Sequence, residues 1–211
     1  GIRFSKPPVA KYNSMWDVNV VLNMFINWQD NDSLSLKQLS AKLTMLLCLV
    51  SIKRVSAVRV LDVSSIQYAA SGVCIKVHGR TKTNLSVLHY PYFPSQPNLC
   101  VSNCLHSYVS RTSALWPNPS GQLLISFQKP HKPVSAATLA RWVRWIMTLA
   151  GVDTSMFGAH SVRGAMASKA FWAGSSLHDI LRSADWSNVT TFRSFYCKPI
   201  VHVANEVISM L

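Results

Sequence analysis

The 211 residues are 49% hydrophobic, enough for a real core, and their number fits one main folding unit at ~100–200 residues per domain. The longest apolar run, 43–52, lies between Lys42 and Lys53 and is far short of the ~20 residues that a membrane-spanning helix needs. Only 14% of residues are charged, and 21 Lys or Arg face 8 acids, giving +13 with His neutral; a surface this one-sided attracts a polyanion, either nucleic acid or an anionic membrane.

Residues 1–16 read as an arm with adjacent prolines at Pro7 and Pro8. Asp17 is placed to cap a helix running to about Trp28, with Val20, Val21, Met24 and Trp28 on one face. A polar loop at 30–33 precedes a second helix from about Ser35, which carries Leu39, Leu43, Leu46, Leu47 and Val50 at helical spacing. A third covers 55–61. The period then changes: 65–69, 73–77 and 85–90 read as short strands, with turns at Ser71-Gly72 and His78-Gly79. Helical spacing resumes from Leu99 to Arg111. A proline-rich loop follows, with one apolar run at 123–127. Ser135 caps a strong helix to Ala150, and Gly151 ends it. Three further helical segments fit 160–173, 176–183 and 188–196, and 201–211 is helix-like. The expected fold class is mainly α with a small three-stranded antiparallel sheet, divided into an arm (1–16), the main domain (17–198) and a C-terminal helical tail (199–211).

The acids are unevenly placed. None occurs from Val63 to Val152, a stretch that carries Lys76, Arg80, Lys82, Arg111, Lys129, Lys132, Arg141 and Arg144. Eight scattered acids are also a poor supply for a carboxylate cage around magnesium. Five cysteines, an odd number with no secretory signal pattern ahead of them, read as reduced intracellular thiols. Cys100 and Cys104, with His106 nearby, are spaced along a helix. No second Cys or His pair lies at zinc-finger distance, so core packing explains them better. Any chemistry is expected to run without a metal.

Such chemistry has a place to sit near the C-terminus. His160 and Arg163 are three apart and share a helix face just after Gly158, where unpaired backbone N–H groups and the helix dipole favour an anion. Trp186 follows, an indole that can only donate, and then Tyr196. His160-x-x-Arg163, Trp186 and Tyr196 in this order resemble the signature of the tyrosine recombinases, the phage-integrase-like superfamily. Trp-Ser-x-x-x-Thr-Phe-x-x-Phe-Tyr, from Trp186 to Tyr196, is most similar to enzymes of DIRS-type retrotransposons and cryptons. Trp16-Asp17-Val18 and the helix from Cys100 to Arg111 also resemble that branch.

The resemblance implies two further residues. An arginine after an apolar helix corresponds to Arg54, and a lysine in a β-hairpin corresponds to Lys82, for which Lys76 and Arg80 are poorer substitutes. One position departs from the pattern: relatives often carry an acid three residues after the first arginine, and here that residue is Ala57. In the chemistry so implied, Tyr196 attacks a DNA phosphodiester and forms a 3′-phosphotyrosyl link. Arg54, Arg163 and the Trp186 indole hold the phosphate oxygens where charge builds. His160 takes the phenolic proton and Lys82 supplies one to the leaving 5′ oxygen. No cofactor and no metal is implied.

The expected partners are double-stranded DNA and further protomers of the same chain in a dimer or tetramer, with nuclear or other DNA-accessible intracellular localisation. Relatives carry an additional N-terminal helical domain, so a piece of a longer protein is expected. Lys129, Lys132, Arg141 and Arg144 surround one helix start and, with Lys76 and Arg80, are candidate DNA contacts; a solvated charged face explains them equally. The competing readings are a recombinase-derived DNA-binding module without activity and a type IB topoisomerase-like enzyme.

Overall fold

The computed structural model describes residues 10–77, 87–117 and 121–201. In chain order these form β1 (Met15–Trp16), α1 (Asn19–Ile26), α2 (Leu36–Ser51), α3 (Val55–Arg59), β2 (Gln67–Ala69), β3 (Gly72–Lys76), β4 (Val87–Pro91), α4 (Val101–Thr112), α5 (Ala136–Leu149), α6 (Ser161–Trp172), α7 (Leu177–Ala184), α8 (Val189–Phe195) and β5 (Ile200–Val201). The expected class, mainly helical with one three-stranded antiparallel sheet, is the observed one.

The long apolar run becomes the body of α2. Ser35 starts this helix with a reciprocal cap: its hydroxyl accepts the Gln38 N–H while the Gln38 side chain accepts the Ser35 N–H. With Leu39, Leu43, Leu46, Leu47 and Leu49 all buried, α2 is covered on every side, packing on α3, α4, α5 and α6. The two lysines that bound the run are buried as well. Lys42 donates to the side-chain oxygens of Asn31 at 2.8 Å and Asn98 at 3.4 Å, so its ammonium is solvated by amides in place of water.

The sheet has the order β2-β3-β4, with Val73 opposite Tyr90 and Ile75 opposite Leu88 on the buried face. Gly72 is required where β3 begins. Its φ of 141° belongs to glycine, and a Cβ there would stand 2.1 Å from the Tyr90 carbonyl oxygen.

Three expectations need correction. The first helix is shorter than expected, ending at Ile26, and Asp17 accepts the Asn19 N–H one residue too early to be its cap. Its buried face is Val18, Val21 and Phe25, because the Phe25 ring fills the core and Trp28 packs on its edge from beyond the helix. The end of the expected arm, Met15–Trp16, is buried and pairs in parallel with Ile200–Val201, where a helical tail was expected to begin. Two β-branched residues after a proline pair readily but leave no periodic signal. Residues 202–211 of that tail, residues 1–9 of the arm and the His78-Gly79 turn lie outside the described residues. Among the described residues no helix is long and apolar enough to cross a membrane.

Candidate active site

A second, smaller core stands beside the main one, formed by Ile52, Ala167, Ile180, Ala184, Trp186 and Phe192. The cleft at the seam between the cores is lined by Lys53, Arg54, His160, Arg163 and Tyr196, with Cys48, Val55, Ala159 and Val162 as its apolar wall. Four of the six site residues expected from sequence therefore share one cleft, and Trp186 packs directly against two of them, Arg163 and Tyr196.

Each is delivered by a helix end. Arg54 is the exposed residue immediately before α3. His160 is the exposed residue immediately before α6, a start fixed by Ser161, whose hydroxyl donates to the Gly158 carbonyl at 2.7 Å and accepts the Trp16 indole N–H at 2.8 Å. Trp186 follows Asp185, which closes α7 in the left-handed conformation at φ 53°. There the Asp185 N–H bonds the Arg182 carbonyl and the Trp186 N–H bonds the Leu181 carbonyl, the paired bonding of a Schellman end. Tyr196 ends α8, and its carbonyl accepts the Ser168 hydroxyl.

Arg163 is the hub. It is only 5% exposed. Its Nε–H donates to the Ile52 carbonyl at 3.1 Å and its Nη2 to the Ala184 carbonyl, while Nη1 has no hydrogen-bond partner among the described residues. The guanidinium lies 4.4 Å from the Trp186 ring centroid and 5.7 Å from that of Tyr196. Burial and the nearby Arg54 charge pull its pKa down to about 10, which leaves it cationic at neutral pH. The resemblance implies that both arginines turn their donors to a phosphate. Instead, Arg163 commits two of its groups to holding two helix ends together.

Tyr196 is half-buried, its ring stacked on Trp186 with centroids 4.3 Å apart and planes 26° apart. Gly164 makes the approach possible: a Cβ there would meet Met15 Cε at 2.5 Å and Tyr196 Cδ1 at 3.3 Å. The phenol thus stands at the edge of the small core and on the wall of the cleft.

The other expected residues that the structure describes are placed less centrally. Lys82 and Arg80 lie outside the described residues. Lys76 is exposed at the end of β3. Lys129 and Lys132 are exposed ahead of α5, and Arg141 and Arg144 are exposed on it, donating to the Thr138 hydroxyl and the Thr154 carbonyl. Arg111 donates to the Leu34 carbonyl at 2.6 Å and so has a structural task. Sequence reasoning missed Lys53, which lines the cleft and pairs with Asp185. Its only signal was a lysine beside Arg54 at the end of an apolar run.

No protein-family model and no curated protein matches the sequence. Solved structures do match in fold. The XerH site-specific recombinase bound to difH substrate, before cleavage, superposes with a TM-score of 0.67 at 13% identity, over 99% of this chain and 56% of that one. XerA recombinase gives 0.64 at 16% identity, over 97% and 65%. A lambda integrase dimer on a COC′ core site gives 0.54 at 15%, over 93% and 62%. The chain therefore has the fold of a tyrosine recombinase catalytic domain, and it spans about half to two thirds of these proteins' lengths.

Proposed function

We propose that this chain is the catalytic portion of a DNA strand-exchange enzyme that cleaves and rejoins DNA through Tyr196, acting in the integration of a mobile element related to DIRS-type retrotransposons and cryptons. One observation carries the reading. Arg54, His160, Arg163 and Tyr196, separate in sequence, line a single cationic cleft with Trp186 stacked on the phenol.

A phosphodiester in that cleft would face Nη1 of Arg163, which has no partner among the described residues, and the exposed guanidinium of Arg54, both suited to non-bridging oxygens as charge builds. The Tyr196 oxygen attacks phosphorus and its proton passes to His160. The bond to the 5′ oxygen breaks, and that oxygen takes a proton from Lys82. Reversal, with a 5′ hydroxyl of the same or another strand as attacker, rejoins the DNA. The partners are double-stranded DNA and further copies of the chain, in a nuclear or other DNA-containing compartment.

The test is a nicked DNA substrate whose cleaved fragment diffuses away, so that covalent complex accumulates. Wild-type protein should give a denaturation-resistant adduct, with or without a chelator, and Tyr196→Phe none. Adduct formed by Tyr196→Phe overturns the nucleophile assignment. Binding without adduct in either protein favours an inactive DNA-binding module.

A further inference from the structure

The chemistry above leaves one ion pair unused, with its lysine buried and its aspartate part-exposed. Lys53 and Asp185 form a salt bridge with side chains 6% and 23% exposed. Each follows a residue whose carbonyl Arg163 holds, Ile52 for Lys53 and Ala184 for Asp185. Each also precedes a site residue, Arg54 after Lys53 and Trp186 after Asp185. The ends of α2 and α7 are therefore tied twice, by the Arg163 guanidinium and again by the ion pair.

Both helix ends are also locally strained. Ile52, β-branched, has φ 53°, and so does Asp185; such conformations persist where surrounding contacts over-determine them, and they gather at functional sites. Stability alone does not explain the pair. Burial lowers the Lys53 pKa, Asp185 opposes that shift and the Arg163 charge adds to it. Apolar side chains of similar volume commonly serve a fold as well as a buried ion pair does. What the pair adds is a fixed distance and direction between two backbones. The first turn of α3 holds no acid, so Arg54 has no carboxylate of its own helix to orient it.

We infer that Lys53 and Asp185 are positioning residues for strand cleavage, setting the separation of Arg54 and Trp186 across the cleft. The inference rests on the phosphotyrosyl reading. Neither residue needs to touch DNA, and their effect belongs in the rate of the chemical step more than in binding.

The test compares wild type, Asp185→Asn, Lys53→Met and the double variant K53M/D185N by single-turnover cleavage of the nicked substrate, DNA affinity and thermal unfolding. Asp185→Asn removes the carboxylate facing the buried Lys53 ammonium, and Lys53→Met removes the ammonium facing that carboxylate, so both should lose stability and cleavage together. The double variant removes the pair as a unit, so its melting temperature should lie closer to wild type than that of either single variant. Its cleavage rate should stay about 10²-fold low with affinity within about threefold, the size of loss that a displacement of about 1 Å at a reacting centre produces. A double variant that cleaves at the wild-type rate, or whose loss appears in affinity instead, overturns the positioning role while leaving the Tyr196 chemistry intact. Absence of adduct from wild type itself overturns the phosphotyrosyl reading, and the positioning role with it.

Discussion

The two cores of this protein are built by different means. The large one is apolar packing around α2, a helix enclosed on all sides, and its positions follow helical periodicity. The small one has six buried residues, too few to define three helix ends by packing alone, and polar bridges complete it: Arg163 to two carbonyls, Lys53 to Asp185, Ser168 to the Tyr196 main chain. The difference teaches where precision resides. Hydrophobic area makes the scaffold, and directional contacts at its margin aim the side chains that would do chemistry.

The comparison breaks most visibly under cavity-forming substitutions. Phe192→Ala in the small core should cost about 3–5 kcal/mol and Leu43→Ala in the large core about 2–5 kcal/mol. Hydrogen exchange should tell them apart: Phe192→Ala loosens α7 and α8 while α2 and α5 stay protected, whereas Leu43→Ala lowers protection throughout. Equal loosening of α2 by both would show that the cores are one cooperative unit. Next comes Arg163→Lys. An ammonium reaches one carbonyl where the guanidinium reaches two, so a buried acceptor is stranded at about 1–3 kcal/mol by denaturant titration, and covalent adduct should be lost.

Helix caps sharpen the contrast at smaller scale. Ser35 caps α2 and Asn188 caps α8, where its side chain accepts the Thr190 N–H at 2.7 Å. Alanine at either position should cost about 1 kcal/mol. In Ser35→Ala the loss should appear in global unfolding, and in Asn188→Ala in the exchange of α8. Smallest is Arg141→Ala on the exposed face of α5, which should leave stability unchanged. If Arg141 meets a phosphate, the variant should weaken DNA binding for all sequences alike and lower the salt slope by about 1. An unchanged slope assigns it to solvent.

Most helices were legible in the sequence because their signals are local. The Ser35 and Ser135 caps, the heptad-like leucines of α2 and the turn at Gly72 each act within a few residues. Of the residues expected by type and order, Arg54, His160, Arg163 and Tyr196 line one cleft, and Trp186 packs against two of them. Contacts that join distant segments were not legible. No spacing links Lys53 to Asp185, and nothing in a pair of β-branched residues after Pro199 announces that they will lie beside Met15. Asp17 misled for the opposite reason, since an Asx turn and a helix cap share the same residue type.

The short parallel strand pair has a mechanical consequence. Beyond Phe192 the main chain is fastened by the Tyr196 carbonyl to Ser168, by the Lys198 carbonyl to the Trp172 indole, and by the Pro199 carbonyl to the Met15 N–H. Tyr196 is thus tethered at its own carbonyl and again two and three residues further along. Under the proposed reaction, a phenol on so short a tether leaves the joined DNA strand to supply the larger share of any movement.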